Sequence, residues 1–254
     1  MKIIAVIPAR YQSKRLPGKA LADIAGKPMI QWVWERVSLS SLVSSVLVAT
    51  DDKLIYDCVT DFGGSVVMTP DNMISGTDRI AHVIQNMDAD IVVNIQGDEP
   101  FIEPDEVDQV ATILVKDKNA VMGTLVKRIS NIDELADSNV VKVVMDQDRY
   151  ALYFSRSTIP FMQDVNNQVE LSKNVVCFKH IGIYSFTKDF LLRFSNNGPT
   201  PIEKLEKLEQ LRALEMGCRI KTEETRFEPV GVDTPADLDK ARLLAEKIMD
   251  TERT

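Results

Sequence analysis

The first hundred residues alternate short apolar runs with longer amphipathic segments, and this alternation restricts the fold more than any other feature of the sequence. The apolar runs, rich in Val and Ile, predict buried strands, and they lie at 3–7, 46–50, 65–68 and 91–95. The predicted helices lie between them at 28–37, 53–62 and 77–87. Strands and helices that alternate with short connections form βαβ units. The sequence therefore predicts an α/β fold, with a mostly parallel sheet and helices on both faces.

The second half of the chain has a different pattern. Strands are predicted at 121–126, 140–145 and 176–186 without long helices between them, and Gly182 interrupts the last one. Residues 162–174 are polar and lack periodicity, which is typical of a loop. The sequence contains no internal repeat and no linker rich in Pro, Gly or Ser. We therefore expect a single domain at 1–254, with a β-rich lobe near 121–186 inserted within it.

Apolar residues recur at every third position between Pro201 and Met216, namely at Ile202, Leu205, Leu208, Leu211 and Leu214. This spacing predicts one helix whose apolar stripe winds around the axis, with Glu209 projecting between Ile202 and Leu205. A carboxylate on an apolar face is costly unless it is paired or used. Both a functional role and a plain partnership with solvent or a helix neighbour stay open for Glu209.

The loop after the first strand carries four cations in an otherwise acidic protein: Arg10, Lys14, Arg15 and Lys19. Pro17 and Gly18 restrict its backbone. No glycine stands five residues before Gly18, and no GxGxxG follows the strand, so neither common glycine-rich phosphate motif is present. Arg and Lys side chains must then neutralise most of the charge of a polyanion such as a triphosphate. A solvated basic loop without a ligand is the alternative.

Two aspartates stand where a metal site would be expected. Asp98 follows the fourth predicted strand directly, at the end where α/β folds bind ligands. Asp233 precedes the last helix, whose start is already capped by Thr234 at the N-cap and Asp237 three residues later. Mg²⁺ takes one or two carboxylates together with substrate phosphates. Asp98 and Asp233 are therefore the candidate magnesium ligands, although each could be an ordinary loop carboxylate.

Two further motifs are compatible with ligand binding and equally with ordinary structure. Residues 75–79, Ser-Gly-Thr-Asp-Arg, could form a base-binding loop or a plain helix start. His180 and Tyr184 flank Gly182 and would share one strand face. That face could line a sugar site or belong to the core.

Composition excludes several classes of protein. The formal net charge of −8 argues against general nucleic-acid binding, since a phosphate backbone requires a basic face. No apolar run approaches the length of a membrane span or of a signal-peptide core, so we expect no membrane insertion. The three cysteines form no CxxC pair, which is typical of free thiols in a reducing compartment. A cytoplasmic location is therefore expected.

Seven motifs taken together resemble the 3-deoxy-manno-octulosonate cytidylyltransferase family. In chain order they are IPARYQSKRLPGKALADIAGKPMI, SGTDR, NIQGDEP, ALYFSRSTIP, KHIGIY, KLEQLRALE and GVDTPADL. The resemblance extends from Ile3 to about Leu244. It implies a Rossmann-like nucleotidyltransferase fold, Mg²⁺ as cofactor and a homodimer built through the β-rich lobe. The implied reaction transfers CMP from CTP to the anomeric hydroxyl of the acid sugar Kdo, for lipopolysaccharide synthesis.

The resemblance also implies roles for particular residues. The triphosphate would be held by Arg10, Ser13, Arg15 and Lys19. The cytidine pocket would be lined by Ala9, Ser75, Gly76, Arg79 and Gln96. The sugar site would be formed by Arg156, His180, Tyr184, Glu209 and Gln210, with Arg156 or Arg15 for the sugar carboxylate. The catalytic set would be Lys19 and Arg15 with the magnesium ligands Asp98 and Asp233.

The sequence departs from the family pattern at Ala20, where proline commonly follows PGK, and the 162–174 segment has no counterpart that we can match. Three other functions stay open. A cytidylyltransferase for 8-amino-Kdo or sialic acid would need similar groups. A metal-dependent glycosyltransferase would use an acidic DxD pair, which QGDEP lacks. A nucleotide-binding protein without catalysis would be expected to have lost charged positions that are all present here.

Overall fold

The computed structural model of the chain describes residues 1–13, 15–161 and 177–252, with side chains up to residue 250. The predicted loop at 162–174 lies outside the described residues. Contacts divide the chain into two compact units, one formed by residues 1–108 and 228–254 and the other by residues 109–227. The predicted β-rich lobe at 121–186 falls within the second unit.

The first unit contains a parallel sheet. Its strands are β1 (Ile3–Ala9), β4 (Ser45–Thr50), β5 (Val66–Met68) and β6 (Ile91–Asn94). They are arranged in the order β6–β1–β4–β5, and every pairing is parallel. A two-stranded ribbon is formed by β2 (Asp23–Ile24) and β3 (Lys27–Pro28). The predicted mostly parallel α/β fold is confirmed.

Helices follow the strands of this unit as the alternation predicted. They are α1 (Met29–Ser38), α2 (Lys53–Asp61), α3 (Gly76–Ile84) and, near the end of the chain, α9 (Pro235–Glu252). The helix α4 (Pro104–Lys116), which the sequence analysis did not predict, follows β6. A short 3-10 helix at Lys19–Leu21 ends the basic loop. Asp52 caps α2 by accepting hydrogen bonds from the backbone N–H groups of Leu54 and Ile55.

The strand β1 is the centre of this sheet because it can be buried on both faces. Its residues from Ile3 to Ile7 are all apolar and at most 3% exposed. Parallel strands covered on both sides are expected to be continuously hydrophobic in this way. Burial of a continuous apolar strand fixes the position of its carboxyl end, where Ala9 leads into the basic loop.

The second unit is richer in antiparallel pairs. Its strands are β7 (Met122–Arg128), β8 (Lys142–Met145), β9 (Ala151–Ser155), β10 (Phe178–Thr187) and β11 (Ile220–Glu224). β7 pairs with β10 in antiparallel and with β11 in parallel orientation, whereas β8 pairs with both β9 and β10 in antiparallel orientation. Its helices are α5 (Ile132–Ala136), α6 (Lys188–Asn196), α7 (Pro201–Glu206) and α8 (Gln210–Glu215). The three strands predicted in this region are confirmed over their described residues, while β9, β11, α5 and α6 were not predicted.

The single helix predicted at 201–216 is wrong. Lys207 ends α7 in the left-handed conformation, with φ 57°, and its N–H donates to the Glu203 carbonyl oxygen at 2.8 Å. The three-residue spacing of apolar positions does not match the 3.6-residue turn, so no straight stripe holds one helix against the core. Leu205 is consequently 84% exposed, whereas Leu208 is 5% exposed. Glu209 does not lie on an apolar stripe; it precedes α8, where its carboxylate lies 3.4 Å from Arg212 Nη2.

The end of α7 at Lys207, which separates it from α8, can be tested with two leucine-to-alanine substitutions three residues apart. We expect Leu208→Ala to lower the free energy of unfolding by about 2–5 kcal/mol, because it leaves a cavity at a buried position. The matched control Leu205→Ala should change that free energy by less than about 0.5 kcal/mol, because its side chain is exposed. Urea unfolding followed by circular dichroism measures both values. Equal losses for the two variants would contradict the break at Lys207.

Candidate active site

The basic loop is closed by its own backbone. Gly18 adopts φ 68°, a left-handed conformation that favours glycine, and its N–H donates to the Tyr11 carbonyl oxygen at 3.1 Å. Ser13 Oγ accepts a hydrogen bond from the Leu16 N–H at 3.4 Å. Arg10 is exposed and donates from Nη2 to the Met73 carbonyl oxygen at 2.9 Å. The described residues of the predicted basic loop are therefore held by backbone and side-chain hydrogen bonds, whereas Lys14 lies outside the described residues.

Lys19 lies between the two aspartates that the sequence analysis selected. Its ammonium nitrogen is 2.6 Å from Asp98 Oδ2 and 3.0 Å from Asp233 Oδ1. Those two carboxylate oxygens are therefore at most 5.6 Å apart, the sum of the two distances. Arg15 Nη2 lies 2.9 Å from Asp233 Oδ2, and the Arg15 side chain is 65% exposed. The loop thus places two cations against two carboxylates, with the Arg15 guanidinium open to solvent.

The charge of Lys19 is fixed by opposing effects. Burial by itself lowers the pKa of the Lys19 ammonium, but the charges and hydrogen bonds of Asp98 and Asp233 together outweigh burial and raise that pKa above its usual value. Lys19 therefore stays protonated near neutral pH. Burial also raises the pKa of the neighbouring Glu99 carboxyl to about 8, and the carboxylates of Asp98 and Glu106 add to this effect. Glu99 then adds less than a full negative charge beside Asp98 at neutral pH.

Backbone contacts bring the segments of the two aspartates together. The Val232 N–H donates to the Asp98 carbonyl oxygen at 2.9 Å, which joins the loop after β6 to the segment before α9. The predicted cap of α9 is confirmed, since the Asp237 N–H donates to Thr234 Oγ1 at 3.2 Å and the Thr234 N–H donates to Asp237 Oδ2 at 3.0 Å. Because that pair satisfies the helix start, the Asp233 carboxylate can face Lys19 and Arg15 instead.

Two glycines allow the loops after neighbouring strands to approach the end of β1. A Cβ atom on Gly97 would lie 3.1 Å from the Pro8 carbonyl oxygen, and one on Gly76 would lie 3.1 Å from Pro8 Cγ. A larger residue at either position would require Pro8 or the loop to shift by a few tenths of an ångström. Gln96, which precedes Gly97 and is partly buried, and Ala9, which is 4% exposed, lie next to these contacts in the chain.

The motif at 75–79 forms a capped helix start. Ser75 Oγ accepts a hydrogen bond from the Asp78 N–H, and the Ser75 N–H donates to Asp78 Oδ2, both at 3.1 Å. Arg79 has no exposed surface, and its guanidinium contacts Asp51 Oδ2 at 2.6 Å and the Thr69 hydroxyl. The plain helix-start interpretation thus accounts for the Ser75 and Asp78 side chains. A cytidine contact from Arg79 stays a prediction, and its side chain is inaccessible in this structure.

In the second unit the structure brings together four of the five predicted sugar-binding residues. The rings of His180 and Tyr184 have centroids 5.3 Å apart, and the Tyr184 hydroxyl donates to Gln210 Oε1 at 3.3 Å. Glu209 adjoins Gln210 in the chain, and its charge acts on Tyr184. Burial lowers the pKa of His180 to about 3, so the imidazole is neutral near pH 7. Burial, with the Glu209 charge, raises the pKa of the Tyr184 hydroxyl.

Gln210 stands out within this cluster, which we call the His180 cluster (His180, Tyr184, Glu209 and Gln210). It is 3% exposed, and its Nε2 atom has no hydrogen-bond partner among the described residues. A buried amide nitrogen without a partner costs free energy, and such groups are rare in folded proteins. A ligand that accepts a hydrogen bond would satisfy it.

The fifth predicted sugar-binding residue, Arg156, makes hydrogen bonds with Ser138, Lys142 and Glu206. Its Nε donates to the Glu206 carbonyl oxygen at 2.9 Å, and its Nη1 donates to the Ser138 carbonyl oxygen at 3.1 Å. The Glu206 carboxylate accepts from the Arg156 N–H at 3.0 Å. Lys142, which has no exposed surface, donates to the Arg156 carbonyl oxygen at 2.6 Å. The sequence analysis missed Lys142 and Glu206, because a lysine in a strand and a glutamate in a short helix carry no motif.

The described parts of the chain contain neither a membrane-spanning helix nor a cluster of metal-ligating side chains. No helix there is both long enough and apolar enough to cross a membrane. No group of three or more His, Cys, Asp or Glu side chains is arranged to hold a metal ion. We call Arg15, Lys19, Asp98 and Asp233 the Lys19 cluster. Any metal there would rely on the two protein carboxylates, with its other ligands supplied by substrate or water.

Comparisons of the sequence and the fold with known proteins identify the family of the chain. The family model for cytidylyltransferases matches residues 4–222. Proteins of Geobacter metallireducens and Geotalea daltonii, both named 3-deoxy-manno-octulosonate cytidylyltransferase, are each 52% identical over 94% of this chain and 96% of their own length. A solved structure described as CMP:2-keto-3-deoxy-manno-octonic acid synthetase complexed with CTP has a TM-score of 0.90 and 42% identity. The alignment covers 97% of this chain and 99% of the chain of that structure. The chain belongs to the cytidylyltransferase family and, within it, to the 3-deoxy-manno-octulosonate cytidylyltransferases.

Proposed function

We propose that this protein transfers CMP from CTP to the anomeric hydroxyl of Kdo, with release of pyrophosphate and with Mg²⁺ as cofactor. The observation that carries the proposal is the contact of Lys19 with both Asp98 and Asp233 at the end of the basic loop. Family membership gives the reaction class, and the loop supplies the charges that such a reaction requires. A homodimer and a cytoplasmic location stay predictions.

The nucleotide is proposed to bind in the first unit, at the end of β1. Arg10, Ser13, Arg15 and Lys19 would contact the triphosphate. Support comes from the exposed Arg15 guanidinium and from the protonated Lys19 ammonium. Arginine offers several donors to phosphate oxygens in a fixed geometry, whereas lysine acts as a point charge. Ala9, Ser75, Gly76, Arg79 and Gln96 are proposed to line the cytidine pocket.

The residues at the Lys19 cluster fit a magnesium ion. Asp98 and Asp233 would hold it, because both direct a carboxylate oxygen at one cationic nitrogen and both offer the hard oxygen ligands that Mg²⁺ prefers. When bound, the ion would neutralise phosphate charge as a Lewis acid.

The His180 cluster and Arg156 are proposed to bind the acid sugar. The Arg156 guanidinium would pair with the sugar carboxylate, and the polar side chains of His180, Tyr184, Glu209 and Gln210 would contact sugar hydroxyls. The neutral imidazole of His180 supports a ligand that donates or accepts a hydrogen bond there. Gln210 Nε2, which has no hydrogen-bond partner among the described residues, supports a ligand that accepts one. A polyhydroxylated sugar acid has these properties.

The chemistry requires orientation and charge stabilisation and needs no covalent enzyme intermediate. The sugar hydroxyl oxygen forms a bond to the α-phosphorus, and the bond from that phosphorus to the oxygen bridging to the β-phosphate breaks. The hydroxyl proton is released, and pyrophosphate leaves with the bridging oxygen. Lys19 and Arg15 would stabilise the negative charge that develops on the phosphates. Holding both substrates in line lowers the entropic part of the barrier.

An assay of the purified protein with CTP, Kdo and Mg²⁺ tests the proposal directly. We expect pyrophosphate release that depends on Kdo, together with CMP-Kdo identified by mass spectrometry. Parallel reactions without sugar, with sialic acid and with 8-amino-Kdo are the controls. Turnover with sialic acid or 8-amino-Kdo but not with Kdo would assign the enzyme to another acid sugar. CTP binding without any sugar-dependent turnover would indicate a binding protein and contradict the proposal.

Lys19→Ala should lower turnover at saturating CTP by about tenfold or more, because the phosphates lose a positive charge in the transition state. Lys53→Ala is the matched control, since Lys53 is exposed and pairs only with its helix neighbour Asp57 among the ion pairs of the described residues. Steady-state kinetics measure both variants. Wild-type turnover in Lys19→Ala would refute the assigned role.

Asp98→Asn and Asp233→Asn should each lower magnesium-dependent activity by about tenfold or more, because each removes one charge from the same ion site. Since both act through one ion, the double variant should lose little more than the worse single variant. The free energy of unfolding should fall by about 1 kcal/mol or less, as both side chains are partly exposed. The exposed Asp57→Asn variant serves as a control.

Magnesium titrations of the activity, after removal of metal with EDTA, measure these effects. Full activity without added metal would refute the magnesium proposal. Fully additive losses in the double variant would refute a shared site.

A further inference from the structure

Thr124 of β7 lies at a shift of register in the pairing with β10, the strand that carries His180 and Tyr184. The pairing of β7 with β10 shifts between Ile181 and Tyr184, and Thr124 lies opposite Tyr184 at this shift. Its hydroxyl oxygen lies 2.8 Å from the Ile183 carbonyl oxygen and 3.1 Å from the Ile181 carbonyl oxygen. The same hydroxyl lies 3.0 Å from His180 Nε2. Thr124 has no exposed surface, so these groups must satisfy its hydrogen bonding.

These three distances determine which nitrogen of His180 carries the proton. A carbonyl oxygen can only accept, so two carbonyl oxygens this close to the Thr124 oxygen require its hydroxyl hydrogen to point at them. Without that hydrogen between them, lone pairs would face each other at hydrogen-bond distance. The Thr124 hydroxyl therefore donates to the backbone, and its remaining lone pair must accept a hydrogen bond from His180 Nε2–H. In a neutral imidazole the other nitrogen, Nδ1, is then an acceptor.

Among the described residues, the His180 ring makes its hydrogen bond to Thr124 through Nε2, and no donor contacts the acceptor at Nδ1. Nearby, the Tyr184 hydroxyl donates to Gln210 Oε1, which leaves Gln210 Nε2 as a donor. That nitrogen is buried and has no partner among the described residues. The His180 cluster therefore presents one acceptor and one donor of fixed type.

We propose that Thr124 is a positioning residue that holds His180 as the Nε2–H tautomer, so that Nδ1 accepts a hydrogen bond from a sugar hydroxyl while Gln210 Nε2 donates one. The identity of the ligand as a sugar acid rests on the proposed function, whereas the tautomer rests on the geometry of β7 and β10 alone. The chemistry that this pair recognises is a hydroxyl group that donates and an oxygen that accepts.

The tautomer can be observed directly, because the chain contains only two histidines, His82 and His180. Long-range ¹H–¹⁵N correlation spectra of the ¹⁵N-histidine-labelled protein distinguish protonated from unprotonated ring nitrogens, and a His82→Gln variant assigns the signals. We expect the proton of wild-type His180 on Nε2. Saturating Kdo should shift the Nδ1 resonance as that atom accepts a hydrogen bond. A proton on Nδ1 in the free protein, or an Nδ1 resonance that does not move with Kdo, would overturn the proposal.

Two substitutions with nearly the same shape separate the hydroxyl from packing. In Thr124→Val the hydroxyl is lost, so we expect the Nδ1–H tautomer to appear and the KM for Kdo to rise about tenfold, with the KM for CTP within about twofold of wild type. Thr124→Ser keeps the hydroxyl and should retain the wild-type tautomer and a KM for Kdo within about threefold. An unchanged KM for Kdo in Thr124→Val would overturn the positioning role.

The outcomes also distinguish this inference from the proposed function. If His180 has the Nε2–H tautomer but no CMP transfer to Kdo occurs, the proposed function fails and the Thr124–His180 geometry stands. If transfer occurs but wild-type His180 carries its proton on Nδ1, the inference fails and the proposed function stands. The wild-type spectrum decides the tautomer even if Thr124→Val does not fold.

Discussion

Two loops reach the carboxyl end of the central strand by packing glycines against the same proline. Gly76 and Gly97 approach Pro8 so closely that a Cβ atom on either would lie 3.1 Å from it. Gly76 is the first residue of the helix after β5, and Gly97 lies in the loop after β6. Ser75, Gln96 and Asp98 adjoin these glycines in the chain and therefore lie near the end of β1. The buried apolar strand β1 provides the rigid support, since its residues from Ile3 to Ile7 are at most 3% exposed.

The charges at Lys19 form a balanced group. Lys19 and Arg15 contribute two positive charges, and Asp98 and Asp233 contribute two negative ones. The two carboxylates lie close enough that each needs a cation nearby, and the Lys19 ammonium serves both. Under the proposed function, a metal ion would compete with Lys19 for the same oxygens. Its binding would leave the ammonium available to the phosphates, so that cofactor and substrate charges are balanced by the same four side chains.

The sequence predicted those parts of the structure that depend on local patterns. Buried strands such as β1 and the cap formed by Thr234 and Asp237 follow from hydrophobic runs and from short-range hydrogen bonding. The break at Lys207 was missed because neither glycine nor proline marks it, and a lysine in the left-handed conformation has no sequence signature. The end of that helix depends on which leucines are buried, which is decided by tertiary packing.

The charged residues around Lys19 could be predicted from the sequence, whereas the hydrogen bonding around His180 could not. Lys19, Asp98 and Asp233 belong to motifs, and their convergence follows from loops at the ends of parallel strands. Thr124 could not be selected from the sequence, because a threonine in a strand is common and its role depends on a shift of register in another strand. Hydrogen-bond partners of this kind become visible only when the pairing of strands is known.

The first unit is discontinuous, and this affects the order in which the protein can assemble during synthesis. Residues 228–254 belong with residues 1–108, and the fully buried Val232 packs in one core cluster with Ile24 and Trp32. The ribosome therefore releases Lys19 and Asp98 long before Asp233. A nascent chain that ends ahead of this segment lacks both a part of its core and one of the two carboxylates. The first unit can therefore complete its core and its pair of carboxylates only after residues 228–254 have left the ribosome.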